Sequence, residues 1–179
     1  MSEIKKVGVL GAGLMGSAIA AHVANAGVPV VLLDIVPEGA GNRNVLSQGA
    51  VERMKKQSPA PFMDAGNAKL IACGNLADDL EQLADCDWIC EAVLERTDVK
   101  HDVYKRLDEV RKAGSIVTSN TSTIPRGTPI EGQSAAFAAA FAVTHFFTPP
   151  RYMRLLELVG GEQPRPEALC QLATAPDPH

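Results

Sequence analysis

The sequence predicts an α/β protein: a doubly wound, mostly parallel sheet with helices on both faces. Three observations predict it. Short apolar runs alternate with longer segments whose apolar residues recur at helical spacing. Those runs are almost continuously apolar, as strands buried on both faces must be. A glycine-rich turn, "GAGLMG", joins the first run to the first helical segment.

The elements follow in order. "IKKVGVLG" reads as a buried strand stopped by glycine, and "LMGSAIAAHVANAG" as a helix that Gly27 caps. "VPVVLLD" is a second buried strand, with Pro29 tolerated near its start. The segment 38–57 reads as helical until "SPAP" breaks it. "KLIACG" is a third strand, "WICEAVLE" a fourth, "VTSN" the end of a fifth, and "AAFAVTHFF" holds a sixth. Val99 to Lys112 is the clearest of the helices between them. "MRLLELV" reads as a last strand, to which an antiparallel orientation is open. "RPEALCQLA" starts a helix that Pro176 and Pro178 end with no strand after it, so a truncation or a reading-frame boundary is expected there. Right-handed crossovers make such an order doubly wound, with its ligand beyond the carboxyl ends of the strands.

Composition narrows the function classes. The chain has 179 residues, enough for one domain with a real core; 46% are hydrophobic, 21% charged, and the net charge is −4. No Lys/Arg run or basic face suggests a nucleic-acid partner. No apolar stretch reaches the roughly 18–20 residues that span a bilayer, and the N-terminus enters a strand pattern at once rather than a signal peptide. A cytoplasmic protein is the expectation. Cys73, Cys86, Cys90 and Cys170 match neither a zinc site nor a C-x-x-C redox pair, so they read as reduced, partly buried thiols, and no metal is expected.

The glycine turn carries the first chemistry. Gly11, Gly13 and Gly16 form G-x-G-x-x-G, a weak pattern alone, but here it follows a strand, opens a helix and is answered by Asp34 at the end of the next strand. Gly11 permits the tight turn, Gly13 lets a pyrophosphate approach the backbone, and Gly16 lets helix and strand pack closely. Leu14 and Met15 complete the loop at the start of the helix, where free N–H groups and the helix dipole favour an anion. Asp34 can accept from both adenosine ribose hydroxyls and would repel a 2′-phosphate; Ile35, not arginine, follows it. The expected cofactor is NAD rather than NADP in a Rossmann-type domain. An ordinary glycine turn with a strand-end aspartate is the plainer alternative.

"THFFTPPRYMRLLELV" carries the second. His145 sits against two phenylalanines, and Glu157 lies twelve residues on in an apolar run; both are costly to bury without a partner. A histidine satisfied by a backbone carbonyl, with the glutamate at a strand end, is the plain reading of such a pair in isolation.

In order along the chain, "GAGLMG", "EAVLERTDVK", "SNTST" and "THFFTPPRYMRLLELV" together resemble the NAD-binding domain of the L-3-hydroxyacyl-CoA dehydrogenases of fatty-acid β-oxidation, over roughly residues 4–172. "DIVPEG", "SPAPF" and "PPRYMRLLELV" are most similar to the large bacterial multifunctional kind, in which an enoyl-CoA hydratase domain follows much later. The resemblance implies oxidation of a (3S)-3-hydroxyacyl-CoA at C3 by NAD+. It implies that His145 is the base, that Glu157 hydrogen-bonds to it from a neighbouring strand, and that Ser122 faces the substrate oxygen and the nicotinamide ribose. Histidine suits the base role, with an unperturbed pKa near 6.5. Glu95 and Lys100 match residues near the nicotinamide half of NAD, although Lys100 could be a solvated helix lysine. Asn120 is expected at the same strand end, holding the loop or bonding its own backbone as a turn asparagine.

Lys55 and Lys56 lie where the family uses basic residues for CoA phosphates, or on a plain charged helix face; Arg151 and Arg154 receive no role. Thr148 stands where the family usually has an asparagine on the nicotinamide side, which puts cofactor geometry in doubt. The family's last strand and its helical domain are expected beyond this sequence; they supply a further active-site asparagine, much of the acyl pocket and most of the homodimer interface. Three other readings compete with the enzyme: a binding module that holds NAD without turnover, a structural protein that kept the fold, and a dehydrogenase of hydroxy acids without CoA. "SNTST" followed by "THFF" argues against the last.

Overall fold

The computed structural model describes residues 4–121, 130–160 and 166–173. Seven strands form one sheet in the order β3-β2-β1-β4-β5-β6-β7. These are β1 Val7–Leu10, β2 Val30–Asp34, β3 Ile71–Asn75, β4 Trp88–Glu91, β5 Ile116–Ser119, β6 Phe141–Phe146 and β7 Leu156–Gly160. β1 to β6 pair in parallel, and β7 runs antiparallel to β6. The first six strands thus take the 3-2-1-4-5-6 order of doubly wound dinucleotide-binding sheets.

The helices are α1 Leu14–Asn25, α2 Val45–Met54, α3 Thr97–Val110, α4 Ala135–Ala140 and α5 Pro166–Ala173. Alternate strand residues feed two cores. Val9, Leu32 and Cys90 pack with α1, α2 and α5 residues such as Ile19, Val51 and Leu172. Leu10, Leu33 and Ile89 pack on the other face with Tyr104 and Leu107 of α3 and Phe137 of α4. Both faces are therefore covered, which is why the strand sequences show no polar alternation. Among the described residues no helix is long and apolar enough to cross a membrane.

Several boundaries differ from the sequence reading. The helix expected over 38–57 begins only at Val45, because Gly39 adopts φ +70° and the Asn42 side chain accepts from the Asn44 N–H in a local turn. Lys69 and Leu70 belong to a 3₁₀ turn, Ala65–Leu70, that Asp64 caps through the Gly66 N–H, so β3 starts at Ile71. α3 starts two residues earlier than expected, at Thr97, and ends at Val110. The first two alanines of "AAFAVTHFF" close α4, whose first turn the Ser134 hydroxyl caps by accepting from Phe137 N–H.

Candidate functional site

The parallel strands β1, β2, β4, β5 and β6 end on one side of the sheet, at Leu10, Asp34, Glu91, Ser119 and Phe146. Between β1 and β4 the chain order reverses, and there a cleft of about 720 Å³ opens between the glycine loop, Asp34–Val36, Ala92–Leu94 and the exposed side of α3. Arg106 donates to the Leu76 carbonyl at the cleft's far side.

The glycine loop is built as its spacing requires. Gly11 has φ +97°, and a Cβ there would lie 2.5 Å from the Ala92 carbonyl oxygen. A Cβ on Gly16 would lie 1.8 Å from the Gly11 carbonyl oxygen, so helix and loop touch backbone to backbone. A Cβ on Gly13 would meet nothing within 4 Å, which leaves the backbone approachable from the cleft. α1 has no side-chain cap and no acidic residue in its first turn, so its free N–H groups face an anion site. Leu14 is 70% exposed at the first position of α1, while Met15 packs against the core. Asp34 accepts the Ala12 N–H at 2.6 Å and the Ile35 N–H at 2.7 Å, one on each carboxylate oxygen. That holds the carboxylate at the cleft wall beside the exposed Ile35. A dinucleotide fits these residues: the pyrophosphate at Gly11–Gly16 and the adenosine ribose at Asp34.

His145 and Glu157 meet on the neighbouring strand pair. They are direct register partners on β6 and β7, with Nδ1 and Oε2 2.7 Å apart and side chains 22% and 52% exposed. The His145 ring packs on Phe147, centroids 4.6 Å apart. Since a carboxylate only accepts, Nδ1 carries the proton, and in the neutral ring Nε2 presents a lone pair. The arrangement can take a proton from a hydroxyl and stabilise the resulting imidazolium.

The remaining expected residues separate. Lys100 is 1% exposed, so it is not a solvated helix lysine; its ammonium lies 2.9 Å from Glu95 and 3.2 Å from Glu91. The Asn120 Oδ1 accepts the Phe146 N–H at 2.9 Å, tying the end of β5 to the end of β6. The Thr148 hydroxyl donates to the Met15 thioether, which joins the loop after β6 to the glycine loop. Lys55 pairs with Glu52 at 2.6 Å on an exposed helix end, and Lys56 is exposed beside it. Ser122 lies outside the described residues.

Sequence reasoning passed over two features. Glu91 is fully buried and carries a polar cluster with Tyr104 and Ser119; a lone carboxylate inside "WICEAVLE" was its signal. Arg151 donates to the carbonyls of Ala60 and Phe62, and the Tyr152 hydroxyl to that of Ala60. This clamp fastens the β6–β7 loop to "SPAPF", and backbone acceptors leave no mark in a sequence.

The comparisons with known proteins agree with this geometry. The family described as "3-hydroxyacyl-CoA dehydrogenase, NAD binding domain" matches residues 6–175. A probable 3-hydroxyacyl-CoA dehydrogenase of Deinococcus radiodurans is 48% identical over 167 residues, covering 93% of this chain and 48% of that protein. A putative fatty acid oxidation complex trifunctional enzyme of Rickettsia felis is 42% identical over 158 residues, covering 88% of this chain and 22% of that protein. The crystal structure of 3-hydroxybutyryl-CoA dehydrogenase from Escherichia coli superposes with a TM-score of 0.79 at 27% identity, over 96% of this chain and 35% of that one. The chain thus spans about half or less of the length of these relatives. With a glycine loop and strand-end aspartate that fit NAD and a family match over nearly its whole length, the chain belongs to the NAD-binding domain family of the 3-hydroxyacyl-CoA dehydrogenases.

Proposed function

We propose that this chain is the NAD-binding domain of a longer enzyme that oxidises (3S)-3-hydroxyacyl-CoA to 3-oxoacyl-CoA in fatty-acid β-oxidation, with a helical domain after it. The observation that carries the reading is the His145–Glu157 hydrogen bond at 2.7 Å, beside the strand ends that hold the glycine loop. A module that only binds NAD has no use for an oriented base there.

Bound NAD+ supplies the hydride acceptor for C3 of the substrate. His145 takes the 3-hydroxyl proton on Nε2 as the C3–O bond gains double-bond character. Glu157 holds the tautomer that leaves Nε2 free and offsets the positive charge that forms on the ring. Gly11, Gly13, Leu14, Met15 and Gly16 hold the pyrophosphate, and Asp34 the adenosine ribose. Glu95, Lys100, Asn120 and Thr148 serve the nicotinamide side, and the resemblance adds Ser122 at the substrate oxygen. On the resemblance alone we assign a homodimer for the full-length protein.

The test has two parts. Calorimetry on this chain should give saturable NAD+ binding and far weaker NADP+ binding. The full-length protein should oxidise NADH with acetoacetyl-CoA, followed at the nicotinamide absorbance. Full-length protein that binds NAD+ but turns over no 3-oxoacyl-CoA would defeat the catalytic reading.

A further inference from the structure

Beside the cleft, two carboxylates and one lysine form a chain of charge-assisted hydrogen bonds. Glu91, the last residue of β4, is fully buried. Its carboxylate accepts from the Tyr104 hydroxyl at 2.6 Å, the Ser119 hydroxyl at 2.7 Å and the Val93 N–H at 2.8 Å. Burial, and after it the Glu91 charge, pushes the Tyr104 hydroxyl well above its ordinary pKa, so it remains a donor. The Lys100 ammonium faces three oxygens: Glu91 at 3.2 Å, Ser119 at 3.1 Å and Glu95 at 2.9 Å. An ammonium has three N–H donors, so none remains for a ligand.

Glu95 is placed differently. Its side chain is 50% exposed. One oxygen is held by Lys100 and the other accepts the Thr121 hydroxyl at 3.1 Å. Val93 and Leu94, which connect the two glutamates, line the cleft. A buried ion pair seldom stabilises a fold more than apolar side chains of the same volume would. Fixing the direction of a half-exposed carboxylate that directly follows the cleft-lining Leu94 is a use that apolar residues cannot serve.

We propose that Glu91 is a positioning residue for cofactor binding: it anchors Lys100, and through Lys100 it fixes the Glu95 carboxylate as an acceptor for sugar hydroxyls of the dinucleotide. Lys100 then acts through Glu95 rather than by touching the cofactor. The proposal rests on the reading that Glu95 faces the nicotinamide half of NAD.

A double-mutant cycle on this chain tests it, with NAD+ and AMP affinities measured by calorimetry. Glu95→Gln should weaken NAD+ binding ~10-fold through loss of a charged acceptor, and Glu91→Gln ~3–10-fold by letting that acceptor swing. The double variant should be no more than ~2-fold weaker than Glu95→Gln, because the first change acts through the second. AMP, which fills only the adenosine side, should bind all three variants as it binds the parent; a merely structural role would weaken AMP as well. Additive losses, or a loss of AMP affinity in Glu91→Gln, would overturn the proposal and leave the reading of Glu95 intact. Unchanged NAD+ affinity in Glu95→Gln would overturn both. Should Glu91→Gln fail to fold, Ser119→Ala takes its place in the cycle, since that hydroxyl bridges Glu91 and Lys100.

Discussion

His145 on β6 and Glu157 on β7 are exact register partners in the one antiparallel pair among the described strands, and their side chains close to 2.7 Å. An antiparallel partner is what allows a residue twelve positions on to return opposite the histidine. In the full-length protein, His145→Gln should lower turnover of acetoacetyl-CoA with NADH by ~10²–10⁴-fold. Glu157→Gln should cost ~10²-fold or more by releasing the tautomer. NAD+ affinity should hold in both. Turnover that survives His145→Gln would move the base elsewhere.

Gly13 and Gly16 should respond oppositely to the same added methyl. At Gly16 the new Cβ would sit 1.8 Å from a backbone oxygen, and the strain should cost ~3 kcal/mol or more. That corresponds to a Tm fall of roughly 6–12 °C. At Gly13 nothing lies within 4 Å of the new Cβ, so Gly13→Ala should keep the parent Tm and lose NAD+ affinity. Paired melting curves and titrations separate the two; equal losses of Tm would show that Gly13 is a folding residue instead.

Asp34 is held in a fixed position at the end of β2, because each of its oxygens already accepts a backbone N–H, and we propose that it sets the cofactor preference from there. Replacing Asp34 with Ser and Ile35 with Arg should shift the NADP+ to NAD+ affinity ratio by ~100-fold toward NADP+, by removing one repulsion and adding one cation. Competitive titration of the two nucleotides measures the ratio. A ratio that stays put would mean that the adenosine 2′-position lies away from this strand end.

Strands such as β2 were legible in the sequence because burial on both faces leaves nothing polar in Val30–Leu33. The glycine loop was legible because its three glycines answer steric demands of the backbone itself. What stayed hidden depends on partners far along the chain. Glu91 meets Tyr104 and Ser119, 13 and 28 residues away, and a single carboxylate in an apolar run does not name them. Arg151 reaches the Ala60 carbonyl across 91 residues, and every residue has a carbonyl. The late start of α2 turned on a positive φ at Gly39, which periodicity cannot register.

The four cysteines should label in an order set by burial. Burial pushes the Cys86 and Cys90 thiols up to about 12, and it raises Cys73 as well. Thiolate is the reactive form, so Cys86 and Cys90 should resist iodoacetamide at pH 8 until the protein unfolds. Cys170 is exposed on α5 and should label first. Peptide mass spectrometry at increasing times reads the order; early labelling of Cys90 would mean that β4 opens in the native state.

Asp87 gives the fold a pH dependence whose sign is fixed by its partners. Burial alone would raise its carboxyl, but the Lys112 ammonium at 2.6 Å and the backbone N–H groups of Lys5 and Lys6 at 2.8 and 3.1 Å outweigh it and hold the group below the usual carboxylate range. The folded state therefore binds this proton less readily than the unfolded chain, whose aspartate titrates near about 3.9. The stabilisation is complete above that value and is lost as pH falls through the lower, folded one. At pH 7, Asp87→Asn should melt below the parent, because the lead into β1 loses its charged acceptor next to Lys112. As pH drops toward about 3 and beneath, the parent carboxyl protonates and the two Tm values should converge. A gap that stays constant from pH 7 down to that range would show that Asp87 contributes as a neutral acceptor and that its charge carries none of the effect.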